Sequence, residues 1–309
     1  MTYTRASYAL IFINWMTPHL VVKAVHTARA TVSDPALLRI IIIDNHSGDD
    51  SLDVFARELP DAEVIPMPAN LGFAKAVNAG LARVNEPYAF VLNSDIQFLN
   101  NAIELLAQAL ESDSKAILAS PKLLRPDNSL QASAIPEPRI IWELVNRSLP
   151  RRMMKLSNDR VSVVPSVVGA CIAVHMGRVR QVGFMDEQFF FYFEETDWCK
   201  RISDGGWHVL FVPAAEVMHM QGRSANRQPV RSRVQFYLSR YKYFHKHNGA
   251  LGVAILFIGL WCKLSLSLFL GALQVLFSAG SPKARERMQV YVALWCWHLL
   301  LCRPRWGFE

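Results

Sequence analysis

Arg39-Ile40-Ile41-Ile42-Ile43-Asp44-Asn45 is the stretch that decides the fold class. Four consecutive isoleucines have the length of a strand and no polar face, so both faces of that strand must be covered. The run stops abruptly at a carboxylate and an amide, which places polar groups at the strand's carboxyl end. Working outward, residues 9–13 form a second short apolar run, and helical spacing follows from Leu20 to Ala30. Residues 63–66 read as a third strand, 71–84 as a helix with Ala and Val on one face, and 88–92 as a fourth strand. This alternation predicts an α/β fold with a mostly parallel central sheet flanked by helices. Ligand sites in such sheets gather beyond the carboxyl ends of the strands. Those ends carry Asp44–Asn45 and Asn93–Ser94–Asp95.

Composition narrows the class. With 309 residues, 51% hydrophobic and 19% charged, the chain can build one large domain plus an appendage, and an intrinsically disordered chain is excluded. The net charge of +7 suits phosphate-bearing ligands or an anionic membrane surface, and equally a plain basic solvated surface. Cys171, Cys199, Cys262, Cys296 and Cys302 are odd in number and scattered, with no CxxC pair. Neither a disulfide framework nor a zinc site follows, so a reducing compartment is expected. The apolar run near the N-terminus is interrupted by Asn14 and lacks a small-residue cleavage site, unlike a secretory signal.

Two regions differ in character. Residues 1–225 are expected to form the catalytic domain. Within them, 125–165 lose periodicity and hold Pro126, Pro136, Pro138, Pro150 and Pro165 with a basic patch at Arg151, Arg152 and Lys155. This reads as an irregular insertion over the site, with one amphipathic helix around 142–149. Residues 226–309 are expected to form a basic and hydrophobic membrane-associating helical region. Arg223, Arg227, Arg231, Arg233, Arg240, Lys242 and Lys246 occur with no acidic residue among them. An apolar run over 249–280 follows, with Lys263 its only charge, and then Lys283, Arg285 and Arg287 precede a shorter apolar run over 290–302. The long run suffices for a spanning helix. Basic flanks on both sides favour a re-entrant hairpin or in-plane helices over one straight span, with Gly259 and Gly271 as bend points. A buried helix of a soluble core is the alternative. The basic stretch is of the kind that attracts anionic headgroups.

Three clusters carry chemistry. A carboxylate at a strand end, as Asp44 is, can accept the N3–H of uracil or thymine; the ordinary alternative is a helix cap or turn residue. Asp95, two residues after the neutral amide of Asn93, can hold a hard divalent cation that completes its shell with water and diphosphate oxygens. His219, ending an apolar stretch, is a candidate second ligand. Glu194-Glu195-Thr196-Asp197 places three carboxylates in four residues, behind the aromatic run 189–193 and before Trp198. Mutual repulsion and apolar surroundings raise a carboxyl pKa toward the range of a general base, and aromatic faces suit sugar rings. An acid-rich helix N-terminus is the alternative. Gly169-Ala170-Cys171 offers small residues where a ligand can approach closely.

Taken in order, Ile13-Asn14-Trp15, Ile43-Asp44-Asn45-His46-Ser47, Asn70-Leu71-Gly72-Phe73-Ala74-Lys75-Ala76-Val77-Asn78, Leu92-Asn93-Ser94-Asp95, Val168-Gly169-Ala170-Cys171, Phe184-Met185-Asp186-Glu187, the segment Phe193 to Arg201, and His219 with Gly222 and Ser224 resemble the inverting GT-A glycosyltransferases of family 2, particularly the bacterial rhamnosyltransferase-like branch. The resemblance spans about residues 8–225. It implies a GT-A fold and nucleotide contacts from Asn14, Asp44, Asn45, Asn70, Gly72, Phe73, Asn78 and Asn93. It implies a divalent metal, Mg2+ or Mn2+, on Asp95 and His219. Asn93 stands where the family's DxD motif has its first Asp, as in the branch that carries NxD. The acceptor side would be built by Gly169, Glu194 and Trp198. Glu195 takes the place of the usual catalytic Asp with one more methylene, and Asp197 is the second candidate for the base.

The expected function is transfer of a sugar, with inversion, from dTDP-rhamnose or a UDP-sugar to a glycan or polyprenyl-diphosphate-linked acceptor. The expected place is the cytoplasmic face of a bacterial inner membrane, in cell-surface polysaccharide synthesis. The competing reading is a catalytically degenerate, sugar-nucleotide-binding membrane scaffold. A dehydrogenase would need GxGxxG after the first strand, where Asn14-Trp15-Met16-Thr17-Pro18 stands instead. A nucleic-acid partner is not expected, because the basic residues collect beside the apolar tail rather than across the domain.

Overall fold

The structure, a computed structural model, describes residues 8–146, 148–154, 156–220, 229–277, 282–303 and 306–308. In chain order the elements are β1 (Tyr8–Asn14), α1 (Pro18–Thr31), β2 (Leu38–Asp44), α2 (Ser51–Glu58), β3 (Glu63–Pro66), α3 (Phe73–Leu81), β4 (Tyr88–Asn93), β5 (Ile96–Phe98), α4 (Ala102–Ser112), β6 (Ala116–Leu124), β7 (Ala134–Ile135), α5 (Ile140–Leu144), α6 (Ser148–Met153), β8 (Ser162–Val163), β9 (Ser166–Val167), β10 (Cys171–His175), α7 (Met176–Val179), α8 (Glu194–Asp204), β11 (His208–His219), α9 (Pro229–Phe277) and α10 (Pro282–Leu299). They form two compact units: 1–137 with 154–187 and 194–223, and 138–153 with 188–193 and 224–309. Segments 138–153 and 188–193 thus group with the C-terminal helices rather than with the N-terminal domain expected over 1–225.

In the first unit a sheet runs in the order β3-β2-β1-β4-β10-β6-β11-β5. The β3-β2-β1-β4 half is parallel, as the alternation predicts. Beyond it the sheet is mixed: β10 lies antiparallel to both neighbours, β6 and β11 pair in parallel, and β5 is antiparallel to β11. Because side chains alternate faces along a strand, Leu10, Phe12, Ile40, Ile42, Phe90 and Leu92 pack with α1, α2 and α4. Ile11, Ile13, Ile41, Ile43, Ala89 and Val91 pack with α3 and α8 on the other face. The isoleucine run is therefore buried on both sides.

Gly80 of α3 packs so tightly on β1 that a Cβ there would overlap Ile11 Cγ2. Ile11 is fully buried and stiff at χ1, so the neighbour cannot swing away. Gly80→Ala is expected to lower stability by about 1–3 kcal/mol through overpacking. Denaturant unfolding should show an earlier midpoint at unchanged slope.

The second unit is helical. The long helix α9 is broken at Gly249, whose φ of 67° and ψ of −174° only glycine adopts readily. The expected bend points, Gly259 and Gly271, keep helical geometry instead. Gly259 serves a different purpose: it leaves room for Leu144 of α5, whose methyl groups a Cβ would strike. Lys263, the lone charge of the apolar run, donates to the carbonyls of Glu143 at 3.2 Å and Leu144 at 3.1 Å, capping α5. Leu251, Ile258, Phe269 and Leu270 stay exposed. The span Val230–Leu273 reaches a mean hydropathy of 2.2 over 18 residues, long and apolar enough to cross a membrane. The amphipathic helix expected around 142–149 is two short helices, α5 and α6. Lys155, Gly222, Arg223, Ser224 and Arg227 lie outside the described residues.

Candidate functional site

Strand register assembles the site. In the parallel half, Asn14 pairs with Asp44 and Ile13 with Asn93, so three polar residues line one sheet edge. The Asn14 side-chain amide donates to Asp44 Oδ1 at 2.7 Å, and Thr17 N donates back to Asn14 Oδ1 at 3.2 Å. Ser47 supplies Asp44 with its backbone N–H at 3.1 Å and its hydroxyl at 2.5 Å. Thr17 extends the network by donating to Ser94 at 2.8 Å. Asp44 is 5% exposed, so these donors hold its carboxylate rigidly at the strand end.

The neighbouring loop is pinned by two amides. Asn45 donates to Asn70 Oδ1 at 3.1 Å and to the Gly72 carbonyl at 3.3 Å, and accepts from Leu71 N at 3.1 Å. Asn70 Oδ1 also accepts from Gly72 N at 3.1 Å. Gly72, with φ 88° and ψ 173°, occupies a region closed to other residues and caps α3. Phe73 follows, half-buried against the core. Asn78, expected among the nucleotide contacts, has its side chain engaged within the protein. Its amide donates to the Met185 carbonyl at 2.8 Å and Glu187 at 3.0 Å, and accepts from Met185 N at 3.1 Å. It fastens α3 to the segment around Met185.

The antiparallel pairing of β5 and β11 sets His219 opposite Ile96, one residue from Asp95. Met220 N donates to the Asp95 carbonyl at 3.0 Å, and His219 Nε2 lies 3.3 Å from Asp95 Oδ1. Both side chains are nearly buried. Gln131 Nε2 lies 3.0 Å from His219 Nδ1. Among the described residues no group of three His, Cys, Asp or Glu side chains gathers at one point. A pair of converging ligand atoms still fits Mg2+ or Mn2+, which binds through one or two protein groups plus substrate phosphates.

A short bridge joins this pair to the acidic cluster. Gln131 leads to Ser133, whose carbonyl accepts from Val168 N at 2.9 Å. Ala170 accepts from Asn93 N at 3.0 Å. Between them, the backbone of Gly169 faces Glu195: an added Cβ would meet Glu195 Cδ at 3.7 Å. Burial raises the Glu195 pKa above 4.5, while backbone hydrogen bonds, including those of Thr196 and Gly169, partly oppose the rise. Glu195 Oε2 is buried with no hydrogen-bond partner among the described residues. The two residues that precede the cluster, Tyr192 and Phe193, both have left-handed backbone, φ 70° and 69°. Such conformations cost of order 1–3 kcal/mol each in a non-glycine residue, and here they set the entry to α8.

Glu194 is 4% exposed, and its Oε2 also lacks a partner among the described residues. Desolvation first, and the Glu195 charge second, push its pKa well above 4.5. The folded state thus holds the proton more tightly than the unfolded chain. Stability falls as pH rises from the unfolded-state pKa through the folded one. Glu194→Gln is expected to raise Tm at pH 7 and change it little at about pH 4; thermal unfolding across pH measures both.

Two residues of the cluster have other partners. Asp197 is fully buried and takes Arg201 Nε at 2.9 Å. Arg201 in turn donates to the carbonyls of Val182 at 3.0 Å and Phe184 at 2.5 Å, so this pair ties α8 to the 182–184 turn. Trp198, expected on the acceptor side, is instead a core residue: it is 0% exposed, and its indole N–H donates to the Gly183 carbonyl at 2.9 Å. A ring with no open face offers no platform to a sugar. The residues that sequence reasoning missed are Ser47, Ser94 and Gln131. Ser47 and Ser94 lie inside the motifs with no role apparent from their type, and Gln131 falls in a segment without periodicity.

The description "Glycosyl transferase family 2" matches residues 11–163. The chain is 28% identical over 232 residues to the N-acetylglucosaminyl-diphospho-decaprenol L-rhamnosyltransferase of Mycobacterium tuberculosis, covering 68% of this chain and 76% of that protein. Among solved structures, the mannosyltransferase from Pyrobaculum calidifontis in complex with GDP-Man and Mn2+ aligns with a TM-score of 0.57 at 13% identity, covering 100% of this chain and 89% of that one. GalNAc-T7 with UDP, GalNAc and Mn2+ aligns with a TM-score of 0.54 at 15% identity, covering 70% of this chain and 44% of that one. The fold is of the GT-A type.

Proposed function

We propose that this chain, which belongs to glycosyl transferase family 2 and is a glycosyltransferase, transfers a sugar with inversion from a pyrimidine nucleotide donor to a polyprenyl-diphosphate-linked acceptor, with Glu195 as general base. The observation that carries the reading is Glu195 itself. Its carboxyl faces the Gly169 backbone, its pKa is raised by burial, and its Oε2 has no partner among the described residues. A buried acceptor oxygen without a donor suits a substrate hydroxyl.

The chemistry is one displacement. The acceptor oxygen forms a bond to the anomeric carbon while the bond from that carbon to the diphosphate oxygen breaks. Glu195 takes the hydroxyl proton, and the nucleoside diphosphate leaves from the opposite face. Asp95 and His219 would hold the divalent cation, which when bound supplies positive charge against the diphosphate. Asp44, held by Asn14 and Ser47, presents its carboxylate edge to the N3–H of uracil or thymine. Asn45, Asn70 and Gly72 keep the adjoining loop in shape. Asn93, half-buried at the end of β4, faces the diphosphate as a neutral partner of Asp95.

The acceptor class is supported by the decaprenol-linked substrate in the mycobacterial relative's name and by the apolar span in α9. The basic residues over 223–246, ahead of the apolar run over 249–280, suit the anionic surface of an inner membrane's cytoplasmic face. Donor choice stays between dTDP-rhamnose and UDP-sugars, because the two bases present the same edge to a carboxylate. The test is a turnover assay of the full chain with Mn2+ or Mg2+, dTDP-rhamnose or UDP-sugars, and N-acetylglucosaminyl-diphospho-polyprenol. A glycosylated lipid product from one donor supports the reading. Donor binding without either transfer or hydrolysis would favour the scaffold reading.

A further inference from the structure

We infer that Gln131 is a positioning residue that sets the tautomer of His219 and thereby the affinity of the Asp95–His219 pair for a divalent cation. The inference rests on the reading of that pair as a cation site. Gln131 is 7% exposed, and one end of its amide, Nε2, lies 3.0 Å from His219 Nδ1. The other end, Oε1, is buried with no partner among the described residues. On the far side of the imidazole, Nε2 sits 3.3 Å from Asp95 Oδ1. The ring is therefore clamped between an amide and a carboxylate.

The clamp permits two proton arrangements. With the amide N–H donating to Nδ1, the ring proton sits on Nε2 and is directed at Asp95. No lone pair then faces the place where a cation would lie. A half turn of the amide brings Oε1 against Nδ1, which becomes the protonated nitrogen. That leaves the Nε2 lone pair pointing beside Asp95 Oδ1, the arrangement a ligand histidine requires. Without a cation the first state is favoured, because its Nε2–H also donates to Asp95 Oδ1; the turn gives up that bond and exchanges one unpartnered buried amide end for the other. Cation binding selects the second. Gln131 is well placed for this role because its backbone N–H is fixed on the Leu123 carbonyl at 2.9 Å, which leaves the freedom to the side chain.

Two variants separate this role from packing. Gln131→Glu keeps the shape but can only accept, so it holds the proton on Nδ1. Gln131→Leu keeps the bulk but neither accepts nor donates. Mn2+ is titrated into the full-length protein at about pH 8, above the ordinary imidazole range, and free Mn2+ is read by electron paramagnetic resonance. Wild type and Gln131→Glu are expected to bind within a few-fold of each other, and Gln131→Leu about 10–100-fold more weakly. Nitrogen-15 spectra of the metal-free proteins should show the His219 proton on Nε2 in wild type and on Nδ1 in Gln131→Glu, and metal-free thermal unfolding establishes that each variant is folded. If wild type binds Mn2+ and folded Gln131→Leu binds it equally, or if Glu and Leu weaken it alike, the inference fails while the cation site stands. If wild type binds no Mn2+, the cation-site reading fails and takes this inference with it.

Discussion

Glu195→Gln is expected to lower kcat by about 10²–10⁴-fold, the usual worth of a positioned general base, while donor KM stays close to wild type and Tm does not fall. The substitution keeps the shape and the contact with Gly169. It replaces an oxygen that can take a proton with an amide that cannot. The buried carboxyl has a raised pKa through desolvation, so the acidic limb of the kcat profile should lie above the ordinary glutamate range. Rate rises through that limb as the base loses its proton. Asp197→Asn provides the contrast. It removes the charge that Arg201 grips and should lower stability first, because Arg201 would be left half-buried against two carbonyls with less to balance it. A Glu195→Gln enzyme with near-normal turnover would move the base elsewhere, with Asp197 the first place to look.

Asp95→Ala is the second large effect. Removing the Asp95 carboxylate beside His219 takes away negative charge that would hold a divalent cation there. Charge growing on the departing diphosphate would then be compensated poorly. The expected loss in kcat is at least about 100-fold, equivalent to roughly 3 kcal/mol of transition-state stabilisation. Raising Mn2+ should recover part of it, since His219 and the diphosphate remain as ligands. Activity that is independent of metal in both wild type and variant would contradict the assignment.

Much of the first unit is legible in the sequence because its signals are local. Ile40–Ile43 reads as a strand buried on both faces, and α1 and α3 show their apolar spacing directly. What escaped is what depends on partners distant in sequence. β10 is five residues whose antiparallel place between β4 and β6 is set by register with Leu92 and Ala119, which no periodicity reports. The acidic cluster is visible as composition, but its division of labour is not. Asp197 is neutralised by Arg201 one turn later, whereas Glu195 meets Gly169, far away in sequence. Trp198 carries the same ambiguity: an aromatic beside carboxylates fits a sugar platform, and only the packing around α8 shows it as core. The break at Gly249 rather than Gly259 follows the same logic, since Gly259 is fixed by Leu144 from a different segment.

The most direct measurement is a crystal structure of the full chain with Mn2+ and either dTDP or UDP. The account predicts the cation within coordination distance of Asp95 Oδ1 and His219 Nε2, the pyrimidine N3–H on Asp44, and Glu195 Oε2 facing the space beyond the diphosphate. A nucleotide bound away from Asp44, or a cation held by other residues while Asp95 and His219 stay paired to each other, would contradict it.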